Sequence, residues 1–120
     1  MKTWAVVGLG NNPERAAFGV AKLLQEKGHR IIPVYPRAEI VHGEIGYKTL
    51  SEIEVPVDVV DCFVNSTHVG KVVDEAIAIG AKAVWLQLDV NDHEAVARAE
   101  AAGLLTIMDR CPAIEYRKKA

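Results

Sequence analysis

Strand-like and helix-like segments alternate from end to end of this 120-residue chain, and that alternation predicts an α/β fold. The expected form is a doubly wound, mainly parallel five-stranded sheet with helices on both faces. Two further observations support it. The strand candidates are short, continuous apolar runs, as strands buried on both faces are. The helical stretches end on glycines, Gly28, Gly80 and Gly103, shortly before the next apolar run begins. No repeat, low-complexity tract or Pro/Gly/Ser-rich linker divides the chain. At this length one compact domain, residues 1–120, is the expectation.

The first strand is Trp4-Ala-Val-Val-Gly8-Leu9, and it stops at Gly10-Asn11-Asn12-Pro13. Pro13 suits the first position of a helix; Ala17, Val20, Ala21 and Leu24 then repeat at i, i+3, i+4, i+7 until Gly28. Ile31 to Tyr35 reads as the second strand. Pro33 inside it removes one ladder donor, which points to a sheet edge or a bulge. The stretch from Pro36 to Lys48 is irregular and is expected to cross one sheet edge, and Thr49-Leu-Ser-Glu52 has capping-box spacing for one short helix. Val57 to Phe63 is the third strand. Asn65 or Ser66 can cap a helix with Val69, Val72, Val73 and Ala76 as its apolar stripe. Ala83 to Leu88 is the fourth strand, and Asn91 with Glu94 opens a helix along Ala95, Ala99 and Ala102. Leu104 to Met108 closes the sheet. Right-handed crossovers suggest a strand order such as 3-2-1-4-5, with Phe63, Trp85 and the valines in the core.

Composition narrows the function. The formal net charge is −2, half of the residues are apolar and a quarter are charged, whereas a general nucleic-acid or membrane-surface binder shows a basic stripe. Neither nucleic acid nor membrane is an expected partner, so any anionic ligand must be met by local charge. Two distant cysteines make no disulfide framework, and no apolar run approaches the ~18 residues of a membrane span. The start of the chain does not resemble a signal peptide, and the expected location is cytoplasmic. A chain this short is not expected to hold a two-domain enzyme.

In doubly wound sheets ligands sit beyond the carboxyl ends of the strands, where strand order reverses. The loop Gly8-Leu9-Gly10-Asn11-Asn12-Pro13 begins like a dinucleotide fingerprint, with small residues that let a phosphate approach backbone N–H groups at a helix start. Its third glycine is missing, and the same glycines also suit a plain tight turn. NAD wants a carboxylate at the end of the second strand. Here stands Tyr35-Pro36-Arg37, with no Asp or Glu between Lys27 and Ala38, so a nucleotide with an extra phosphate on its ribose fits better than NAD. Arg15, expected in the first turn of its helix, opposes the helix dipole. A bound phosphate explains that placement, and Glu14 beside it offers a bland alternative.

Other motifs fail. Gly70-Lys71 looks like the end of a P-loop, but Asn65 and Val72 stand where that motif needs glycine and Ser/Thr. The four histidines and two cysteines lack metal-ligand spacing, so no structural zinc is expected. Cys62 and Cys111 read as small buried hydrophobes. Asp58 reads as solvated, and Asp61 as an acceptor of hydrogen bonds rather than a base. His68 can reach a ligand or sit as a surface histidine. Arg117-Lys118-Lys119 reads as a solvated terminus. No nucleophile, base and orienter come together, so no catalytic constellation is visible and the chain does not read as an enzyme.

Four stretches carry a family resemblance: Val6-Val7-Gly8-Leu9-Gly10-Asn11-Asn12-Pro13-Glu14-Arg15; Gly28-His29-Arg30-Ile31-Ile32-Pro33-Val34-Tyr35-Pro36; Ala83-Val84-Trp85-Leu86-Gln87-Leu88; and Met108-Asp109-Arg110-Cys111-Pro112 with Ile114-Glu115-Tyr116. Together they resemble the small stand-alone CoA-binding proteins, whose domain is similar to the N-terminal CoA-binding domain of the succinyl-CoA synthetase α subunit. The resemblance implies a Rossmann-like domain that holds coenzyme A or an acyl-CoA, with the diphosphate at the first loop and the adenosine phosphate near the loop after the second strand. Carried over by position, it implies Gly8, Gly10, Asn11, Pro13 and Arg15 for the first loop and Pro36 and Arg37 for the second. Phe63 and Val64, with His68 nearby, follow the third strand, and Gln87 and Leu88 the fourth. Relatives usually carry Ser or another small polar residue at position 10, Asn at 35 and Arg-Arg-Pro or Arg-Pro-Pro after Phe63. Here Gly10, Tyr35 and Val64-Asn65-Ser66 stand there, which takes away one charge contact of the family pattern. The alternatives are an NADP-type nucleotide-binding oxidoreductase and a regulatory or scaffold subunit whose CoA site is vestigial. Whether the chain pairs with itself or with a partner enzyme stays open.

Overall fold

The computed structural model describes residues 2–112 and 114; Glu115, Tyr116 and the basic tail lie outside them. Along the chain run β1 (Thr3–Val7), α1 (Ala16–Glu26), β2 (Arg30–Val34), a 3-10 turn (Leu50–Glu52), β3 (Val59–Cys62), α2 (Ser66–Ala78), β4 (Ala83–Leu86), α3 (His93–Ala101) and β5 (Leu105–Ile107). The five strands form one sheet, every neighbouring pair parallel. The doubly wound fold read from the sequence is present.

The strand order is β2-β1-β3-β4-β5, which corrects the 3-2-1-4-5 arrangement. The third strand lies on the far side of β1 rather than outside β2. Its residues are buried throughout, and a central position is the place for them. The space outside β2 is taken by the irregular segment. Tyr47 bridges Val34 there, donating its N–H to the Pro33 carbonyl at 2.9 Å and accepting from Tyr35 N–H at 2.9 Å. The Pro33 carbonyl, and with it the position of the missing N–H, therefore faces away from β1, and the sheet loses no central bond.

Alternation along β1 divides the core. Trp4 and Val6 pack with Ile31, Val59 and the α1 stripe Ala17, Val20, Ala21 and Leu24 on one face. Ala5 and Val7 pack with Val60, Cys62, Val84, Leu86 and the inner faces of α2 and α3 on the other. Phe63 and Trp85 are not fully enclosed. Both are half-buried against the α1 side, and the Trp85 indole N–H donates to the Arg110 carbonyl at 2.8 Å.

Two helix starts differ from the sequence reading. Pro13 does not begin α1; it sits inside a turn that the Arg15 N–H closes onto the Asn12 carbonyl at 3.1 Å, while Asn12 Oδ1 accepts from Glu14 N–H at 3.0 Å. Arg15 is consequently the N-cap, extended at φ −83° and ψ 141°, and not a first-turn residue. In α3 the cap is Asp92, one residue past Asn91. Its carboxylate accepts from Ala95 N–H at 3.0 Å, whereas the Asn91 N–H is held by Ser66 Oγ at 2.9 Å.

Candidate functional site

The strand order places the switch point between β1 and β3, whose chains leave the sheet side by side at Val7 and Cys62. Gly8 makes the departure possible. It adopts φ +97°, and a Cβ there would run into the Phe63 carbonyl oxygen, so neither conformation nor space admits a side chain. Gly8 N–H donates to the Val34 carbonyl at 2.8 Å and Phe63 N–H to the Val7 carbonyl at 2.8 Å. The three strand ends are tied into one floor.

Three cavities meet on this floor and share Gly8 and Arg15. One of about 390 Å³ runs toward α2 and the 3-10 turn, with Tyr35, Pro36, Lys48, Phe63, Val64 and His68 on its walls. A second, of about 190 Å³, lies under the glycine loop between Gly10, Asn11, Tyr35, Arg37 and Glu39. The third, also about 390 Å³, extends over β4 past Ala16, Phe63, Val64, Gln87 and Leu88. Every site residue anticipated from sequence lies on one of these walls except Pro13, which the turn directs elsewhere.

The helix termini differ in how they meet the site. Asn65 caps α2 through its side chain, accepting from Thr67 N–H at 3.1 Å, and Asp92 caps α3. Arg15 makes no side-chain capping bond. Phe18 N–H closes onto the Arg15 carbonyl at 3.1 Å, and the Ala16 and Ala17 N–H groups are left for another acceptor, at the positive end of the helix dipole.

Beneath the third cavity lies a buried polar pair. Asp61, fully buried at the centre of β3, accepts from the Gln87 amide at 2.6 Å and has no partner for Oδ2. Burial is the main cause that lifts its pKa to about 8, with the Gln87 bond a smaller opposing effect, so at neutral pH the acid is held largely in its proton-bearing form. The neighbouring Cys62 thiol is pushed up by burial and then by the Asp61 charge, and it behaves as the inert hydrophobe expected of it. Asp58, read as solvated, is half-buried. It accepts from Thr3 N–H at 2.8 Å and pairs with Lys82 at 3.3 Å.

Glu39 is the site residue that sequence reasoning missed. Its Oε1 accepts the Asn11 N–H at 2.9 Å and lies close enough to Gly10 that a Cβ there would stand 2.9 Å away. Its one sequence signal is position, two residues past Arg37 in the irregular segment. His68 is exposed on the first turn of α2, with its ring nitrogen Nδ1 3.3 Å from Thr67 Oγ1. Among the described residues no three His, Cys, Asp or Glu side chains gather as metal ligands would, and no helix is long and apolar enough to cross a membrane.

A family model of the CoA binding domain matches residues 2–117. The chain belongs to the CoA-binding domain family. This CoA-binding domain is 34% identical over 110 residues to the Bacillus subtilis protein YneT, whose role is uncharacterized; the match covers 92% of this chain and 82% of that one. It is 35% identical over 81 residues to the α subunit of the ADP-forming acetate–CoA ligase II of Pyrococcus furiosus, covering 67% of this chain and only 18% of the subunit. A solved structure of a hypothetical protein from Pyrococcus horikoshii superposes with a TM-score of 0.93 at 38% identity, covering 98% of this chain and 82% of that one. The resemblance to a synthetase CoA-binding domain drawn from four sequence stretches thus holds at the level of family and fold.

Proposed function

We propose that this domain binds coenzyme A or an acyl-CoA without itself performing chemistry on it, the diphosphate lying at the β1–α1 loop. One observation carries the reading. Gly8, Arg15 and the uncapped start of α1 form a shared wall where three cavities meet, in a chain that belongs to a CoA-binding family. A helix N-terminus without an internal acceptor favours an anion, and Arg15 and Arg37 offer guanidinium forks to phosphate oxygens. Pro36, Phe63 and Val64 supply apolar surface for the adenine or the pantetheine arm, with Gln87 and Leu88 bounding the far end. The diphosphate meets the first loop, and a ribose phosphate would lie toward Arg37.

Isothermal titration calorimetry with CoA, acetyl-CoA, dephospho-CoA and NADP tests it. The expected ranking places CoA and its thioester above the other two. Tighter binding of NADP would replace this reading with the oxidoreductase alternative, and silence toward all four would leave a scaffold with a vestigial site.

A further inference from the structure

We propose that Glu39 is a built-in competitor for the phosphate position at the glycine loop. Its carboxylate occupies the Asn11 N–H that a phosphoryl oxygen would otherwise take, so a ligand is admitted by displacing it. The inference rests on the CoA reading and adds to it an internal anion that a ligand phosphate must displace, which lowers affinity for phosphorylated ligands and leaves ligands without phosphates unaffected.

The contact is built rather than incidental. Glu39 Oε1 accepts the Asn11 N–H at 2.9 Å, and Gly10 leaves room for that approach, since a Cβ there would crowd the same oxygen and the Tyr35 ring. The backbone behind Glu39 is fixed at three points. Ala38 N–H closes a turn onto the Tyr35 carbonyl at 2.8 Å. Ala38 itself takes φ +50°, the left-handed region that alanine avoids. Gly46 packs so closely on the Glu39 carbonyl that a Cβ there would overlap it. Strain of this kind persists where surrounding structure over-determines it, commonly at ligand sites.

The charges around Glu39 complete the argument. Arg15 and Arg37 line the same cavity, yet neither forms an ion pair among the described residues. The carboxylate takes the loop's N–H and leaves both guanidinium groups open. An incoming diphosphate brings several oxygens, can engage both arginines with charge-assisted bonds, and replaces the single bond that Glu39 gives up. A ligand without phosphates has no group for that position and leaves Glu39 where it is. The carboxylate also repels a ligand phosphate until it moves, so removing its charge should raise affinity for phosphorylated ligands alone.

The test is calorimetry of CoA and of pantetheine, which lacks the phosphates, on wild type, Glu39→Gln and Glu39→Ala. Glutamine keeps an acceptor for the Asn11 N–H and so preserves the loop; alanine serves if the glutamine variant does not fold. The expected result is CoA affinity raised roughly tenfold in the variants, with pantetheine unchanged. Equal or weaker CoA binding by the variants, while wild type binds CoA, would overturn the role of Glu39 and leave the CoA reading standing; weaker binding would make Glu39 a direct ligand acceptor. An equal gain for pantetheine would overturn the competition for the phosphate position. Absence of CoA binding to all three proteins would remove the CoA reading and this inference with it.

Discussion

Asp61 makes the folded state sensitive to alkali in a way that one substitution isolates. Its pKa rises from an ordinary 3.8 to about 8 on burial, while the unfolded chain ionises it near the ordinary value. Between those limits the native state holds a proton that the unfolded state has lost. Stability therefore falls as pH rises from about 4 to about 8, is fully retained below the lower limit and levels off above the upper one. At about 1.4 kcal/mol per pH unit the whole displacement corresponds to about 5–6 kcal/mol. Asp61→Asn is neutral at every pH and still offers Gln87 an acceptor. Urea unfolding of both proteins at pH 5, 7 and 8.5 should show the variant gaining on wild type by about 4 kcal/mol between pH 5 and pH 8.5. His29, whose pKa burial lowers, and Asp58, held low first by the Thr3 N–H, act in the opposite sense. Their stabilisation is lost as pH falls, and both cancel in the difference between the two proteins. A difference independent of pH would refute the assignment of a proton to buried Asp61.

Other perturbations probe the site and its frame. Gly8→Ala forces alanine to φ +97° and its Cβ into the Phe63 carbonyl, so a loss of about 2–5 kcal/mol and a drop in Tm of about 8–20 °C are expected; calorimetric melting within 2 °C of wild type would be inconsistent with that packing, about 0.5 kcal/mol by the same scale. Arg15→Ala and Arg37→Ala should each weaken CoA binding by about 1–3 kcal/mol while leaving Tm nearly unchanged, because both side chains are exposed. Unaltered affinity in both would remove the phosphate assignment. Asn65→Ala removes the cap of α2 and should cost about 1 kcal/mol in urea unfolding; an unchanged midpoint would show the cap to be dispensable.

The chain's layout was legible because each βα unit is locally self-consistent. Apolar runs around Val6, Val60 and Val84 are buried on both faces, and helix stripes such as Ala17-Val20-Ala21-Leu24 point one way. What was not legible depends on side chains and turns acting across the sequence. The strand order turned on Tyr47 bridging Val34, a contact with no periodic signature. The start of α1 turned on an Asn12 turn that spends Pro13 before the helix begins. The cap of α3 falls at Asp92 and not at Asn91: both residue types cap well, and the Ser66 hydroxyl takes the Asn91 N–H. Glycines and arginines announce themselves by loop position, so Gly8, Gly10, Arg15 and Arg37 are candidates from sequence, and all four line the cavities at the strand ends. Glu39 carries no such signal, because it lies in the irregular segment beyond the strand end where a dinucleotide site keeps its carboxylate. The fold returns one to the glycine loop from 28 residues away in sequence.

If the shared wall of Gly8, Arg15 and the start of α1 holds the diphosphate of coenzyme A, CoA binding must depend on Arg15. Titration of the folded domain with CoA in a calorimeter, repeated on Arg15→Ala, tests it most directly. Saturable binding at one site per chain, weakened about 5- to 150-fold by the substitution, is the predicted result. No measurable binding at low salt, or binding that ignores Arg15, would contradict it.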